Sequence, residues 1–399
     1  MLFYVLSWIA GLNDGHKISI YCSDVAGAFD RVDSELLMGK LESFGLNDKL
    51  LKVIRSWLGQ RQGFVIVSGE KSSPMPLSNM VFQGTVWGPP LWNAFVGDCI
   101  CAISCCGFEA VIYVDDCNAF RCFPRNLANA VVQEHLSECQ ASVHAWGRAN
   151  RVLFDAGKEE TMISSIVDPT GGPVKLLGIE FDNKLVMATA VHKCAKKSAW
   201  NTKALLRTHR FYSTVDLMML YKSHVLSFLQ YRTPNVHFAS ASVLKDIDDV
   251  QKRFLVQIGI SEETAFMDFN LAPLNVRRDI AMLGCIHRAA NCKGPTALWR
   301  FFCITDPAIV SSTRSTICHT RQITEWTRGR DLEIMRRSAF GMIKVYNLLP
   351  QVVVDHVDVK SFQSALTQLV RNRLNSGDPT WRFLIYSRHQ LFNTHPLRR

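Results

Sequence analysis

The sequence lacks the features that place a protein in a membrane or in a secretory pathway. Its apolar opening, residues 1–12, has neither the basic segment nor the small-residue cleavage site of a signal peptide, and it is too short to span a bilayer. Asn13, Asp14 and Gly15 follow, so we expect a packed helix that ends there. No later stretch reaches spanning length without a charge. The expectation is an intracellular protein of the nucleus or the cytoplasm, with no membrane partner.

The 13 cysteines also lack the spacing of a metal site or a disulfide framework, because no two of them form a C-x-x-C pair. Cys101 and Cys105 lie four residues apart and would share one face of a helix. Cysteine is a common small core residue, so we expect packing rather than zinc binding.

Composition excludes wholesale disorder, since 48% of the 399 residues are apolar and only 20% are charged. This length has room for two or three domains. The formal net charge of +10 predicts an acidic partner. Charge alone leaves nucleic acid and a membrane surface open as that partner.

The pattern of apolar residues predicts a mixed α/β half followed by a mainly helical half. Residues 17–24 alternate as a strand that ends at Asp24. Asp33 and Asp48 would each start a helix, the first with Leu36, Leu37, Leu41 and Phe44 on its inner face. Further strands are predicted at 64–68, 76–82, 110–114, 118–123, 152–154 and 162–166, helices from 89 and over 126–149, a hairpin at 174–187, and helices from 191 onward.

Two predicted strand ends carry acidic side chains. Asp24 ends an apolar strand, and Asp115 and Asp116 form the tip of the hairpin that residues 110–114 and 118–123 would make. Adjacent acids after apolar residues are unfavourable unless a cation lies on them. Two Mg²⁺ ions would meet this need and would suit an in-line phosphoryl displacement. The structural alternatives are an ordinary Asp-Asp turn and, for Asp30, a position in front of a helix.

Five segments together resemble the motifs of reverse transcriptases, in the family's order. They are residues 24–30 (Asp-Val-Ala-Gly-Ala-Phe-Asp, motif A), 83–93 (beginning Gln-Gly-Thr-Val-Trp-Gly-Pro-Pro, motif B), 113–116 (Tyr-Val-Asp-Asp, motif C), 157–160 (Gly-Lys-Glu-Glu, motif D) and 176–179 (Leu-Leu-Gly-Ile, motif E). Segments further on, at 221–235, 271–278 and 346–350, resemble parts of non-LTR retrotransposons that follow the palm domain.

The resemblance implies a role for each matching residue. Asp24 and Asp115 would bind two Mg²⁺ ions, or Mn²⁺ as an alternative, with the backbone carbonyl of Val25, and Asp116 would tune the site. Lys158 would protonate the departing pyrophosphate, although an ordinary surface lysine is the alternative. Phe29 would be the aromatic gate that excludes a ribose 2′-OH. The residues that would line the nucleotide site are Gln83, Gly84 and Tyr113.

The sequence departs from the family pattern in two places. Phe82 stands where motif B usually has a proline. Only 23 residues precede Asp24, where the family has its fingers and the basic residues that hold the triphosphate. We therefore expect an N-terminally truncated chain whose fingers are largely missing.

A run of basic residues after motif E falls on one side of a predicted helix. An ordinary solvated face is one interpretation; the other is a thumb helix that grips the phosphates of a template–primer duplex. The basic residues of this face are Lys193, Lys196, Lys203, Arg207 and Arg210.

The fold expected is α+β: a polymerase palm with an antiparallel sheet and packed helices, then a helical thumb and a helical C-terminal region. The predicted domains are 1–170, 171–270 and 271–399, the last without a chemical role. The expected function is RNA-directed DNA synthesis by a retroelement, with template RNA, primer DNA and dNTPs as partners. The alternatives are an inactive remnant that binds nucleic acid and an RNA-dependent RNA polymerase, which Phe29 disfavours.

Overall fold

The computed structural model describes residues 1–59, 61–77, 80–305, 318–326, 329–388 and 395–398. These residues divide into two compact units. The N-terminal unit consists of His16–Gly178 and Asp182–Lys184, and the C-terminal unit of Met1–Gly15, Ile179–Phe181 and Leu185–Arg399. The opening segment therefore belongs to the C-terminal unit. The three predicted domains, 1–170, 171–270 and 271–399, stay a prediction.

Strands are concentrated in the N-terminal unit. Within the described residues they are β1 (His16–Asp24), β2 (Gln62–Gly63), β3 (Ile66–Val67), β4 (Glu70–Lys71), β5 (Met75–Pro76), β6 (Glu109–Tyr113), β7 (Asp116–Pro124), β8 (Glu160–Ser164), β9 (Val174–Leu176) and β10 (Ile179–Phe181).

The main sheet has the order β6-β7-β1-β8, and every neighbouring pair is antiparallel. β1 is an inner strand of the sheet, and all of its residues except His16 and Asp24 are buried. The predicted strand ending at Asp24 and the predicted hairpin around Asp115 and Asp116 are confirmed. The fold class, an antiparallel sheet with packed helices followed by a helical region, is confirmed as well.

Within the described residues, six α-helices precede the long C-terminal helical region. They are α1 (Leu2–Asn13), α2 (Ser34–Ser43), α3 (Asp48–Leu58), α4 (Gly88–Val96), α5 (Cys99–Cys105) and α6 (Asn129–Ala149). Helices α2 to α6 pack with the sheet around one core of the N-terminal unit, in which Tyr21, Phe95 and Val143 are fully buried. α1 ends at Asn13 as predicted.

The start of α2 is also confirmed, because Asp33 Oδ1 accepts the backbone N–H groups of Glu35 and Leu36 at 3.1 and 3.0 Å. Its predicted inner face is wrong at one position. Leu37 and Leu41 are buried, but Phe44 is 59% exposed. The helix ends at Ser43, so Phe44 lies past the last helical residue and off the buried face.

Three further predictions need correction. Only Ile66 and Val67 of 64–68 are in a strand, and of 76–82 only Pro76 is, while Ser78 and Asn79 lie outside the described residues. Strands β3 and β4 form a short hairpin whose apolar residues Ile66 and Val67 are exposed. Its strands stay short because they do not pack against a hydrophobic core. Residues 152–154 form only an isolated bridge, between Val25 and Phe154.

The predicted packing of Cys101 and Cys105 is wrong, since both are exposed. They do share one face of α5, but that face points to solvent, whereas Cys99 and Ile103 form its buried side.

The rest of the described chain is helical, as predicted. Its α-helices are α7 (Ala188–Arg207), α8 (Thr214–Tyr221), α9 (Ser227–Tyr231), α10 (Thr233–Val236), α11 (Ala241–Gln257), α12 (Glu262–Phe269), α13 (Leu274–Ala290), α14 (Thr296–Trp299), α15 (Glu333–Arg337), α16 (Ala339–Tyr346), α17 (Gln351–Val354) and α18 (Val359–Asn375). Among the helices of the described residues, none combines the length and apolar character needed to cross a bilayer.

Candidate active site

The three predicted catalytic acids meet at one end of the main sheet. Asp24, the last residue of β1, lies directly opposite Asp116, the first residue of β7. The backbone N–H of Val25 donates to the carbonyl oxygen of Asp115 at 3.0 Å, so the end of β1 is tied to the hairpin tip. Residues 92 positions apart in sequence thus become neighbours through antiparallel pairing.

The hairpin tip is held in an unusual conformation. Val114 has φ +57°, a left-handed geometry that a β-branched residue rarely adopts. Its carbonyl oxygen accepts the indole N–H of Trp92 at 2.6 Å. Such strain persists where surrounding contacts fix the backbone, and it is found preferentially at functional sites. The tip that carries Asp115 is therefore fixed by α4, a support that the sequence did not reveal.

Lys158 lies against the first acid. Its Nζ is 2.5 Å from Oδ2 of Asp24 and 3.7 Å from Oδ2 of Asp155. The backbone N–H of Asp155 donates to the carbonyl oxygen of Asp24 at 3.0 Å, which brings this segment alongside β1. The hydrogen bond to Asp24, and then its charge, raise the pKa of Lys158. The predicted lysine is therefore a cation in direct contact with the site.

The charged form of Asp116 is disfavoured at this position. Burial, followed by the charges of Asp115 and Asp24, raises the pKa of Asp116, while Lys175 and Lys158 oppose that rise. Burial and the two neighbouring carboxylates together thus outweigh the nearby lysines in their effect on this pKa.

Among the described residues, no group of three His, Cys, Asp or Glu side chains is arranged closely enough to hold a metal ion. The donor set still suits one in its chemistry, because hard divalent cations prefer carboxylate oxygens and the acids lack sufficient positive charge. A metal that bound Oδ2 of Asp24 would have to replace Lys158 on that oxygen.

The predicted nucleotide-binding residues lie in three segments, one after β1, one before α4 and one at the end of β6. Phe29 is half-buried, with its ring centroid 5.6 Å from that of Trp92. Gln83 and Gly84 are exposed in the loop before α4, where Gly84 has φ +77° and open space around it. Tyr113 is 59% exposed at the end of β6.

Glu159 is a part of the site that the sequence did not single out. Its side chain is only 6% exposed, and its Oε1 lies 2.8 Å from Nε2 of His144. The same oxygen accepts the hydroxyls of Tyr21 and Ser23 at 3.0 and 3.2 Å. Gln140 donates to the other oxygen. In the sequence, only its position beside Lys158 in motif D pointed to a role for Glu159 in the site.

The predicted basic face of α7 is exposed at Lys196, Lys203 and Arg207, and Arg210 is exposed just beyond the helix. Lys193 differs, because its Nζ forms an ion pair with Glu180 at 2.6 Å. The indole of Trp200 adds an exposed aromatic surface beside these cations. An open groove of about 440 Å³ lies at the end of the helix, lined by Lys203, Leu206, Arg207, His209 and Gln257.

Residues 10–181 match the family described as reverse transcriptase (RNA-dependent DNA polymerase). The match identifies this segment as a reverse transcriptase domain, and it contains all the acids described above. No curated protein sequence matches the chain significantly. Among solved structures, the chain is similar to telomerase from Candida albicans, solved in complex with the TWJ fragment of telomeric RNA. That similarity has a TM-score of 0.38 and 15% identity, and it covers 66% of this chain and 50% of that one, so this chain spans about half the telomerase chain.

Proposed function

We propose that the chain is an RNA-directed DNA polymerase of a non-LTR retroelement. It extends a primer 3′-OH with dNTPs on an RNA template. The observation that carries the proposal is the register of β1 against β7, which sets Asp24 opposite Asp116 with Asp115 at the adjoining tip, inside a matched reverse transcriptase domain.

In this proposal Asp24, Asp115 and the carbonyl of Val25 would hold two Mg²⁺ ions, with Mn²⁺ as an alternative. When bound, the metals would supply charge stabilisation for the attacking and leaving oxygens of the phosphoryl transfer. Asp116 supports them from the paired strand. Lys158 moves from Asp24 to the leaving pyrophosphate and gives it a proton. No covalent intermediate with the protein is needed, because positioning and electrostatics account for this class of reaction.

The other residues orient the substrates. Phe29, whose ring is supported by Trp92, blocks a ribose 2′-OH and so selects deoxynucleotides. Gln83, Gly84 and Tyr113 line the nucleotide and the template base. The basic face of α7 binds phosphates of the duplex through Lys196, Lys203, Arg207 and Arg210, whereas Lys193 is held by Glu180.

A second candidate function is binding without synthesis, as in an inactive remnant of such an enzyme. The ion pair of Lys158 with Asp24 favours it, because this lysine occupies an oxygen of a predicted metal ligand. In that case the chain would bind template–primer duplex as well as an active enzyme does.

The test is extension of a labelled DNA primer on matched RNA and DNA templates, with dNTPs or rNTPs and Mg²⁺. Extension with dNTPs on RNA supports the proposal. Duplex binding without any extension favours the remnant. A preference for rNTPs would contradict the role of Phe29 and favour an RNA polymerase, and Phe29→Ala should shift the wild-type preference toward rNTPs.

A further inference from the structure

Arg61 packs against two aromatic side chains. Its guanidinium carbon is 4.2 Å from the ring centroid of Trp57 and 4.1 Å from that of Phe82. The two rings are nearly perpendicular, at 87°, with centroids 5.7 Å apart. The backbone carbonyl of Arg61 accepts the N–H of Leu77 at 2.8 Å, which fixes the residue between α3 and the segment before motif B.

This guanidinium has no anionic partner within the part of the chain that the structure describes. Arg55, one helical turn before the end of α3, pairs with Glu35 at 3.0 Å and Glu42 at 3.5 Å. The side chain of Arg61 forms no ion pair and no hydrogen bond with a described residue, although it is half-buried. The two centroids are only 5.7 Å apart, so the rings cover two adjacent sides of the guanidinium rather than its two opposite faces, and the N–H donors on its uncovered edge remain available. Such an edge is suited to a phosphate or carboxylate.

The position of Phe82 places this cation beside the proposed nucleotide site. Phe82 directly precedes Gln83 and Gly84. Its neighbour Val81 donates its backbone N–H to the carbonyl oxygen of Phe29 at 2.8 Å. Gly88 packs so closely that an added Cβ would lie 2.9 Å from the carbonyl oxygen of Phe82 and 3.8 Å from Cε1 of Phe29. The segment that supports Arg61 is therefore packed against the proposed ribose gate.

We propose that Arg61 binds a phosphate group of the polymerase substrates, held in place by Trp57 and Phe82. The inference rests on the proposed function, and it gives Phe82, which replaces the usual proline of motif B, a specific role: only an aromatic ring offers the guanidinium this face. The phosphate belongs either to the incoming dNTP or to the template backbone, and the chemistry is the same for both sources.

The test compares Arg61→Ala and Arg61→Lys with a matched control, Arg55→Ala, which removes an arginine from the same helix region that already has acidic partners. A primer ending in a 3′-dideoxynucleotide allows two equilibrium constants to be measured without chemistry. These are the Kd of the template–primer duplex and the Kd of the next dNTP, both with Mg²⁺. Thermal unfolding of each variant shows whether it is folded. If Arg61→Ala does not fold, Arg61→Lys still tests the role of the guanidinium, because it keeps the positive charge.

We expect Arg61→Ala to raise one of these two Kd values by about tenfold, which is the loss of affinity typical of one charge-assisted contact. We expect a smaller loss for Arg61→Lys, which keeps the charge but not the planar edge, and no change for Arg55→Ala. If only dNTP binding is weaker, the ligand of Arg61 is a phosphate of the nucleotide. If only duplex binding is weaker, the ligand is a phosphate of the template backbone. If neither constant changes, the inference is overturned. Because neither measurement needs extension, a wild-type chain that binds both substrates without extending the primer contradicts the proposed function while leaving this test valid.

Discussion

Nζ of Lys158 lies 2.5 Å from Oδ2 of Asp24, so the lysine of motif D directly contacts the acid that ends the central strand. The charge of Lys158 opposes the rise in the pKa of Asp116 that burial and the other two acids cause. In the proposed mechanism, both a metal on Oδ2 of Asp24 and a proton for pyrophosphate require this lysine to leave that oxygen.

Replacing Lys158 by Met keeps the length of the side chain and removes its charge. We expect primer extension to slow by about 100-fold, the usual contribution of a positioned proton donor. The thermal unfolding midpoint should stay unchanged, since the lysine side chain is 61% exposed and surface ion pairs contribute at most about 1 kcal/mol. Lys184→Met, at an exposed position, is the control. Full activity of Lys158→Met would remove the lysine from the mechanism.

The raised pKa of Asp116 predicts how stability depends on pH. Burial, then Asp115 and Asp24, raise this pKa above its ordinary value of 3.8. A group of this kind stabilises the fold at low pH, and that contribution is lost as pH rises through its folded-state pKa. In EDTA at pH 7, Asp116→Asn should therefore unfold at a higher temperature than the wild type, and the difference should shrink as pH falls toward 3.8. Asp30→Asn, at an exposed position, is the control. A less stable Asp116→Asn protein at pH 7 would contradict this account of the site's charge.

Glu159 is expected to hold the end of β1 in place. Alanine at this position leaves Tyr21, Ser23, Gln140 and His144 without their shared acceptor. The loss of unfolding free energy should be about 3 kcal/mol, and glutamine, which keeps one acceptor oxygen, should lose about 1 kcal/mol. Urea unfolding measures both, with the exposed Glu134→Ala as reference. Equal stability of Glu159→Ala and the wild type would show that the buried carboxylate does not support the strand.

The basic face of α7 predicts a change in salt dependence. The slope of log K against log salt for duplex binding is negative. Replacing Lys196, Lys203 and Arg207 by Ala should make it shallower by about 2 to 3, since each phosphate contact contributes about 0.9 to its magnitude. Lys193→Ala should have a much smaller effect because Glu180 already pairs with this lysine. A slope that stays the same in the triple variant would leave an ordinary solvated face as the interpretation.

Much of this site was predictable because its acids lie at the ends of locally encoded elements. The alternation of residues 17–24 and the apolar run before Asp115 determine β1 and the hairpin from short-range pattern alone. The strands predicted at 64–68 and 76–82 failed because strand propensity without a covering core gives only a short exposed hairpin.

The supporting contacts were not predictable, since each joins residues that are distant in sequence. The acceptor role of Glu159 depends on its lying beside both Ser23 and His144. The place of Arg61 depends on Phe82, 21 residues further on. Sequence pattern gives the elements, but side-chain partners across elements follow only from the register and packing of the folded unit.

The central claim is that Asp24 and Asp115 form a working metal-dependent polymerase site. The most direct measurement is extension of a primer on an RNA template with Mg²⁺ and dNTPs, comparing the wild-type chain with Asp115→Asn at equal duplex binding. We predict extension by the wild type and none by the variant, which differs in one carboxylate oxygen at the hairpin tip. Extension that persists in Asp115→Asn, or a wild-type chain that binds the duplex and adds no nucleotide, would contradict this claim.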